Sequence, residues 1–352
     1  MFKDNSSFRG SFFGNYVYNS IIPKSHPLSK LRQIASFNEL DDELAHLYSK
    51  NGQRAHSPSM MMRISILQYL YNLSDTRIME FVKYNLAAKY YVGLAVDQDV
   101  PDASDLTYFR QRLGPDYAQQ IFQRTLHIAA SHGLNIGEIA LIDSTHTNAK
   151  IRALTQRNPA TTDDHNDHDA DFGKKNKDHL FHGYKNHIAV ESNNNLITAV
   201  TTTPGNIHDT QEFIPLMEQL EETAPPKIVS ADKAYDSQEN HDHLEQQDIF
   251  SAIIMKGNRF QTKAGELKYE RHPSLENPHL RRYLDYRYDQ GRNERYRVEQ
   301  VFAEAKRYHG LSRSRYLGLE NNLLQTFLTA TVINLKHIVR AIYPELHFYK
   351  VH

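Results

Sequence analysis

Five short apolar runs in the middle of the chain restrict its fold more than any other feature. They are Ile139-Ala140-Leu141-Ile142-Asp143, His187-Ile188-Ala189-Val190-Glu191, residues 196–202, Lys227-Ile228-Val229-Ser230-Ala231-Asp232 and residues 250–255. Each has the length and β-branched character of a buried strand. Ser192-Asn193-Asn194-Asn195 is a turn signal that predicts a hairpin between the second and third. Helical periodicity appears at residues 209–222, with Phe213, Leu216, Met217 and Leu220 on one side, at 237–247 and at 293–309. Three strands in a meander, continued by helix-linked strands, predict an α/β domain over residues 136–315. Its sheet is mixed, with helices on the faces.

The flanking regions differ in character. Residues 1–27 are polar and aromatic without a period and predict an extended arm. Residues 28–130 predict a small all-helical domain. There the run Ser59 to Leu70 has apolar residues at helical spacing, Ser74 is placed to cap a helix over 76–84, and Ser104 or Asp105 to cap one over 106–113. Arg110 and Arg112 on that last helix suggest either a packing module or a domain that binds DNA or dimerises. Residues 316–352 predict an apolar helix packed on the core. The insert at 158–178 is a polar loop. Its His/Asp cluster could bind a metal, but little in it is apolar enough to anchor a rigid cage.

Composition then removes whole classes of chemistry. The 352 residues contain no cysteine, which excludes disulfides, thiolate metal sites and a cysteine nucleophile. No apolar run reaches the roughly 18 residues of a membrane span, and a polar start argues against a secretory signal. The net charge is −1, yet it is unevenly spread. Residues 256–315 hold 15 Lys and Arg against 8 Asp and Glu, whereas residues 209–248 hold 11 acidic against 2 basic. The two segments either pair within one fold or set a phosphate-holding surface beside an acidic, metal-binding centre.

The candidate chemistry lies in three acids. Asp143 and Asp232 each close a predicted strand, and ligands gather at the carboxyl ends of strands in α/β sheets. On neighbouring strands the two carboxylates would repel each other and hold a hard divalent cation; either alone could equally cap the next turn. The third is Glu299. On a continuous helix, Glu299 and Lys306 fall about 40° and 20° around the axis from Arg295. Two cations then bracket one carboxylate on a stripe beside the apolar Val298, Val301 and Ala305. A surface salt-bridge ladder would look the same. Glu304 and Asp236 are rival acids, the former on the far side of the helix, the latter placed to cap the next one. His182 and His187 carry no catalytic assignment.

Taken in order, these segments resemble the DDE transposases of bacterial insertion sequences, in the group with the signature Tyr-x2-Arg-x3-Glu-x6-Lys. Arg295, Glu299 and Lys306 match its last three positions; the first is Arg292 instead of Tyr. Asp143-Ser144-Thr145, Gly183-Tyr184-Lys185, Gly205-Asn206-Ile207-His208-Asp209 and Ala231-Asp232-Lys233-Ala234-Tyr235 also look like this family. The resemblance extends over roughly residues 28–340. It implies an RNase H-like core with Asp143, Asp232 and Glu299 as catalytic residues and metal ligands, holding two Mg²⁺ ions, with Mn²⁺ able to substitute. It also implies DNA contacts at Arg295, Lys306, Lys185 and Arg292. The expected activity is metal-dependent strand cleavage and transfer at the terminal inverted repeats of an element and in target DNA. The protein would be a homo-oligomer in the synaptic complex, cytoplasmic and nucleoid-associated, with no membrane partner. The alternatives are a metal-dependent endonuclease on the same fold and a relic that only binds DNA.

Overall fold

The longest strand organises the sheet. In the computed structural model, which describes residue 2 and residues 12–49, 54–150, 167–176, 179–254, 256 and 278–348, the chain divides into two compact units. The second unit, residues 133–306 and 311–326, holds all six strands: β1 Ile139–Asn148, β2 Asp171–Asn176, β3 His179–Glu191, β4 Ile197–Pro204, β5 Ile228–Ala231 and β6 Phe250–Ser251. β3 pairs antiparallel with β1 along one edge. Its other edge is shared, with β2 pairing from His179 to Gly183 and β4 from Tyr184 to Val190. β5 joins β1 in parallel, and β6 joins β5 in parallel. An antiparallel meander continued by two parallel strands is the mixed, RNase H-like sheet expected from the sequence.

The hairpin turn forms at Ser192–Asn195. The Glu191 carboxylate accepts from the backbone N–H of both Asn193 and Asn194, each at 2.9 Å, and Asn195 takes a positive φ of 55°. One sheet face is covered by α8 Phe213–Thr223 and α9 Gln238–Gln246. There Ala140 and Ile142 of β1, Ala189 of β3 and Val229 of β5 share a core with Phe213, Leu216, Met217, Leu220 and Leu244. Each fully buried Leu or Phe contributes about 1.5–3 kcal/mol. That core explains why the apolar period at 213–220 reads clearly in sequence.

Several elements depart from the expected ones. Asp143 does not end its strand: β1 continues to Asn148 because β3 is long enough to pair with it as far as Gly183. Residues 171–176 of the insert form β2, since the β3 edge beyond β4 offers backbone partners that a loop would leave unmet. The segment from Asp209 begins as a 3₁₀ turn, Asp209–Glu212, before the α-helix starts. Of the last predicted strand only Phe250–Ser251 is strand, and Met255 lies outside the described residues, as do 11 of the 21 insert residues; the N-terminal arm is not extended where it is described, since Phe12–Ile21 form a helix. The predicted helix 293–309 forms as α11 Tyr296–Tyr308, three residues shorter at its start, and it is preceded by a further helix, α10 Pro278–Asn293. Between them Glu294 and Arg295 form a turn with three-residue backbone bonds, Arg297 N–H to Glu294 O at 3.0 Å and Val298 N–H to Arg295 O at 3.2 Å.

The close approach of α10 to the sheet rests on Gly291. A Cβ there would come within 2.8 Å of Ala252 Cβ and 3.2 Å of Ile228 Cγ2. Gly291→Ala is therefore expected to force the helix and β5 apart and to lower stability by about 1–3 kcal/mol, read as a fall in the denaturation midpoint. An unchanged midpoint would show that the helix can shift at no cost.

The first unit comprises residues 1–132, 307–310 and 327–352. Its helices are α1 Phe12–Ile21, α2 Pro27–Ile34, α3 Leu40–Glu43, α4 Pro58–Leu70, α5 Asp75–Tyr84, α6 Leu86–Val92 and α7 Ala103–Ser131. α4 is buried on every side, not on one face, and so forms the centre of the unit. Its Arg63 donates from its terminal nitrogens to the carbonyls of Ser36 and Val92, while its buried Nε meets no acceptor among the described residues. Ser74 caps α5 as expected, whereas α7 starts earlier than predicted, with Asp102 and Asp105 forming a capping box. α7 runs far beyond residue 113 through a kink at Gly114, whose φ is +59°. Arg110 is not exposed: both of its terminal nitrogens pair with the Asp75 carboxylate, at 3.1 and 2.6 Å. The last helix, α12 Leu319–Ile342, is counted with the second unit as far as Thr326 and with the first from Phe327 onward.

Candidate active site

The parallel register of β1 and β5 brings two acids together. Ile142 of β1 is level with Ala231 of β5, the last paired position. The next residues on the two strands are Asp143 and Asp232. Adjacent strands lie about 4.8 Å apart, so both carboxylates emerge where β1 loses its parallel neighbour. Asp232 caps the 3₁₀ turn Lys233–Tyr235, its carboxylate accepting from Lys233 N–H at 2.7 Å. Asp143 likewise accepts from Ser144 N–H at 2.8 Å.

The electrostatics mark Asp143. Burial, with the nearby carboxylates of Asp232 and Asp209 acting in the same direction, pushes its carboxyl up to about 6; the Ser144 amide and Arg295 oppose the rise. Arg295 sits in the turn between α10 and α11, and its Nη1 is 3.7 Å from Asp232 Oδ1. Its Nε is buried and finds no acceptor among the described residues. That leaves one guanidinium donor facing the carboxylates and another unmatched, which suits a second anion.

The remaining candidates are less closely gathered. Lys185 lies on β3, its ammonium 2.8 Å from Asp209 Oδ1 and 2.6 Å from the Ile207 carbonyl. Glu299 stands exposed in the first turn of α11, and Arg292 is exposed at the end of α10. Glu299 and Lys306 lie on one unbroken helix, α11, and Arg295 stands in the turn immediately before its first residue. Val298, Val301, Phe302 and Ala305 are buried, as the sequence period indicates. Glu304 is half-buried. Asp236 is fully buried and held by His241 Nε2 at 3.0 Å and Lys256 N–H at 2.8 Å, so it is not offered to a ligand.

Among the described residues, no three His, Asp or Glu side chains assemble into a metal cage. The Asp143–Asp232 pair nonetheless fits a hard divalent cation. Its donors are all oxygens, and burial, with the Asp232 charge adding to it, raises Asp143, so a bound cation would relieve both. The acidic insert does something else where it is described. Asp167 accepts from Tyr184 Oη at 2.6 Å and Gly318 N–H at 3.0 Å, and Asp169 from Leu319 N–H at 2.8 Å, so these two acids cap the start of α12.

Sequence reasoning missed Ser144, Tyr235 and Tyr288 as members of this site. Ser144 Oγ donates to Asp209 Oδ2 at 3.1 Å, and the buried Tyr235 hydroxyl lies 3.0 Å from His187 Nδ1. Tyr288 has its phenol raised by burial, offset by Arg292 and Arg295. The four-residue spacing of Tyr288 and Arg292 on α10 is the signal that could have found it. His187, given no catalytic role, is buried and pushed down to about 4 by desolvation, so it is neutral near pH 7.

A family profile described as "Transposase DDE domain" matches residues 136–335, and one described as "Transposase domain (DUF772)" matches residues 16–112. The solved structure titled "Cryo-EM structure of piggyBac transposase synaptic complex with hairpin DNA (SNHP)" aligns with 90% of this chain and 75% of its own, at 9% identity and a TM-score of 0.40. "Mos1 transposase paired-end complex with left transposon end" aligns with 74% of this chain and 83% of its own, at 12% identity and a TM-score of 0.22. Among the described residues, no helix is long and apolar enough to cross a membrane.

Proposed function

Because the chain belongs to the transposase DDE domain family, and so is an enzyme that cleaves and transfers DNA strands with divalent metal ions, we propose that Asp143 and Asp232 are the metal-holding centre of that reaction, with Glu299 as the third ligand. The observation that carries this assignment is the register: the two acids occupy the first positions past the last paired residues of adjacent parallel strands. The ions are two Mg²⁺, and Mn²⁺ substitutes. Bound there, they would supply an activated water or 3′-hydroxyl and stabilise the leaving oxygen of the phosphodiester.

The chain's own groups do the rest. Asp143 and Asp232 fix where charge is neutralised, and Ser144 N–H and Lys233 N–H hold their carboxylates in place. Arg295 compensates the acid pair and offers its unmatched Nε to a backbone phosphate. Lys306 and Arg292 add phosphate contacts from α11 and α10. Lys185 is the inner cation: two of its three donors go to Asp209 and Ile207 O, leaving one directed to DNA. In phosphoryl transfer such positioning and charge compensation are most of the catalysis.

The substrates are the terminal inverted repeats of the element and a target duplex. Two ends must be held together, so the working form is a homo-oligomeric synaptic complex. Residues 28–130 serve DNA binding or dimerisation, residues 136–315 catalysis and residues 316–352 packing, and the protein acts in the cytoplasm in association with the nucleoid. The test is a joining assay. Purified protein, Mg²⁺, a fragment with both element ends and a supercoiled target plasmid are expected to give end-joined products. Cut ends without joined product would make the protein an endonuclease, and end binding without cutting a binding relic.

A further inference from the structure

Past the acid pair the sheet narrows to a two-stranded ribbon. The last pair between β1 and β3 is Asn148 with Gly183. Beyond it, among the described residues, β3 keeps only β2 as a partner, with Phe172 level with His182 and Lys174 level with Leu180. Strand alternation sorts the side chains onto two faces. One face is anchored. Its Phe181 ring packs on His146 of β1, centroids 4.8 Å apart, and fills the space over Gly173, where a Cβ would come within 2.2 Å of the ring.

The other face carries Phe172, Lys174, Leu180 and His182, and it is the face of Asp143. Ile188 is level with Asp143, and His182 and Leu180 lie six and eight residues from Ile188 along β3, both even steps. Here apolar side chains stand in water. Phe172 is 56% exposed and Leu180 71%, and among the described residues of the second unit no large hydrophobic is more exposed than Leu180. Neighbouring apolar residues left uncovered on an anchored ribbon mark a contact surface.

The charges around this face select its partner. Lys174 is exposed between the two apolar residues. At the root of the ribbon Arg313 bridges to Asn148, and its guanidinium donates to the Lys150 carbonyl at 2.6 Å; Lys150 and Arg313 are both exposed. The acids of the same stretch are engaged with backbone: Asp167 with Gly318 N–H, Asp169 with Leu319 N–H and Asp171 with Phe172 N–H. A second copy of the chain docked here about a two-fold axis would bring the same cations against each other. A polyanion meets them with the opposite sign.

We propose that this face of the β2–β3 ribbon binds duplex DNA on one side of the cut. Lys174 meets a backbone phosphate, and Phe172 and Leu180 pack against the groove, whose width admits a two-stranded ribbon. The inference rests on the assignment of the acid pair as the cutting centre. Six to eight residues of strand place the ribbon roughly 20–27 Å along β3 from the level of Asp143. That span is roughly six to eight base-pair steps of duplex.

The experiment measures binding of the full-length protein to duplexes carrying an element end, by fluorescence anisotropy without divalent metal. The duplex is trimmed stepwise on each side of the cut. Wild type is compared with Lys174→Ala and with the pair Phe172→Ala and Leu180→Ala, and melting temperature and molecular mass are recorded for each. Wild type is expected to lose affinity roughly tenfold once one arm is shorter than about six base pairs. Each variant should bind the untrimmed duplex about as weakly and be indifferent to that trimming, at unchanged melting temperature. Lys174→Ala should also lower the slope of log affinity against log salt by about 0.9. Variants with wild-type affinity and a wild-type response to trimming would overturn the ribbon's role and leave the acid pair in place. So would variants that change only the molecular mass, which would make the ribbon a contact between copies. Metal-dependent cutting of the same DNA by Asp143→Ala would instead overturn the acid-pair assignment, and with it the ribbon's place on the DNA.

Discussion

Asp143→Asn is expected to make the metal-free protein more stable and to abolish DNA cleavage. The sign follows from linkage. The Asp143 carboxyl is near 3.8 in an unfolded chain and is pushed up to about 6 in the fold, chiefly by burial. The folded state therefore binds this proton more tightly. The resulting stability is present below about pH 4 and is lost as pH rises through about 4–6. At pH 7 the ionised group is a net burden. Asparagine keeps an oxygen for Ser144 N–H and carries no charge, so the metal-free midpoint should rise by about 1–2 kcal/mol, a few degrees, at pH 7. The gain should vanish near pH 4. Cleavage should fall on the order of 10³-fold or more, about 4 kcal/mol of transition-state stabilisation. A destabilised, still active variant would mean that this acid is structural.

Arg295→Ala should act in the opposite electrostatic sense. Arg295 opposes the rise of the Asp143 carboxyl, so its loss should move that group further up and lower metal-free stability at pH 7. Its Nε, buried without an acceptor among the described residues, is assigned to a phosphate. Removing that contact should reduce the dependence of log affinity on log salt by roughly 0.9 and cut cleavage roughly 10²-fold. Arg295→Lys should not restore activity, because an ammonium cannot face the acid pair and a phosphate with separate, fixed donors. A salt slope equal to the wild type's would remove Arg295 from the DNA contacts.

Much of the sheet was legible because strand signals and buried positions coincide. Ile139 to Ile142 and Ile228 to Ala231 are buried on both faces and apolar but for Ser230, and that continuity distinguishes a covered parallel pair from an exposed hairpin. Their adjacency, and hence the facing of Asp143 and Asp232, could be posed from sequence but not decided there, since register is a tertiary property. β2 was illegible for a different reason. Asp171 to Asn176 has no apolar alternation, and it is strand only because the β3 edge is there to receive it.

Arg295 shows the limit of helical arithmetic. The 3.6-residue period places it on a stripe with Glu299, but Gly291 lets α10 pack hard against β5 and the chain turns at Glu294 and Arg295. Ser144 and Asp209 were hidden in another way. Both lie in family-like phrases, yet spacing says nothing of hydrogen bonds between residues as far apart as 144 and 209. Whether Arg110 packs or faces DNA stayed open in sequence, because an Arg on a helix carries no sign that an Asp 35 residues away will hold both its nitrogens.

The most direct test of the acid-pair assignment is cleavage of a DNA fragment carrying the flanks of the protein's own gene, titrated with Mg²⁺ or Mn²⁺. Wild type is compared with Asp143→Ala, Asp232→Ala and Glu299→Ala. The expected result is metal-dependent cutting at defined inverted-repeat ends, lost in all three variants while end binding persists. Cutting that survives in Asp143→Ala or Asp232→Ala, or that proceeds without divalent metal, would contradict the assignment.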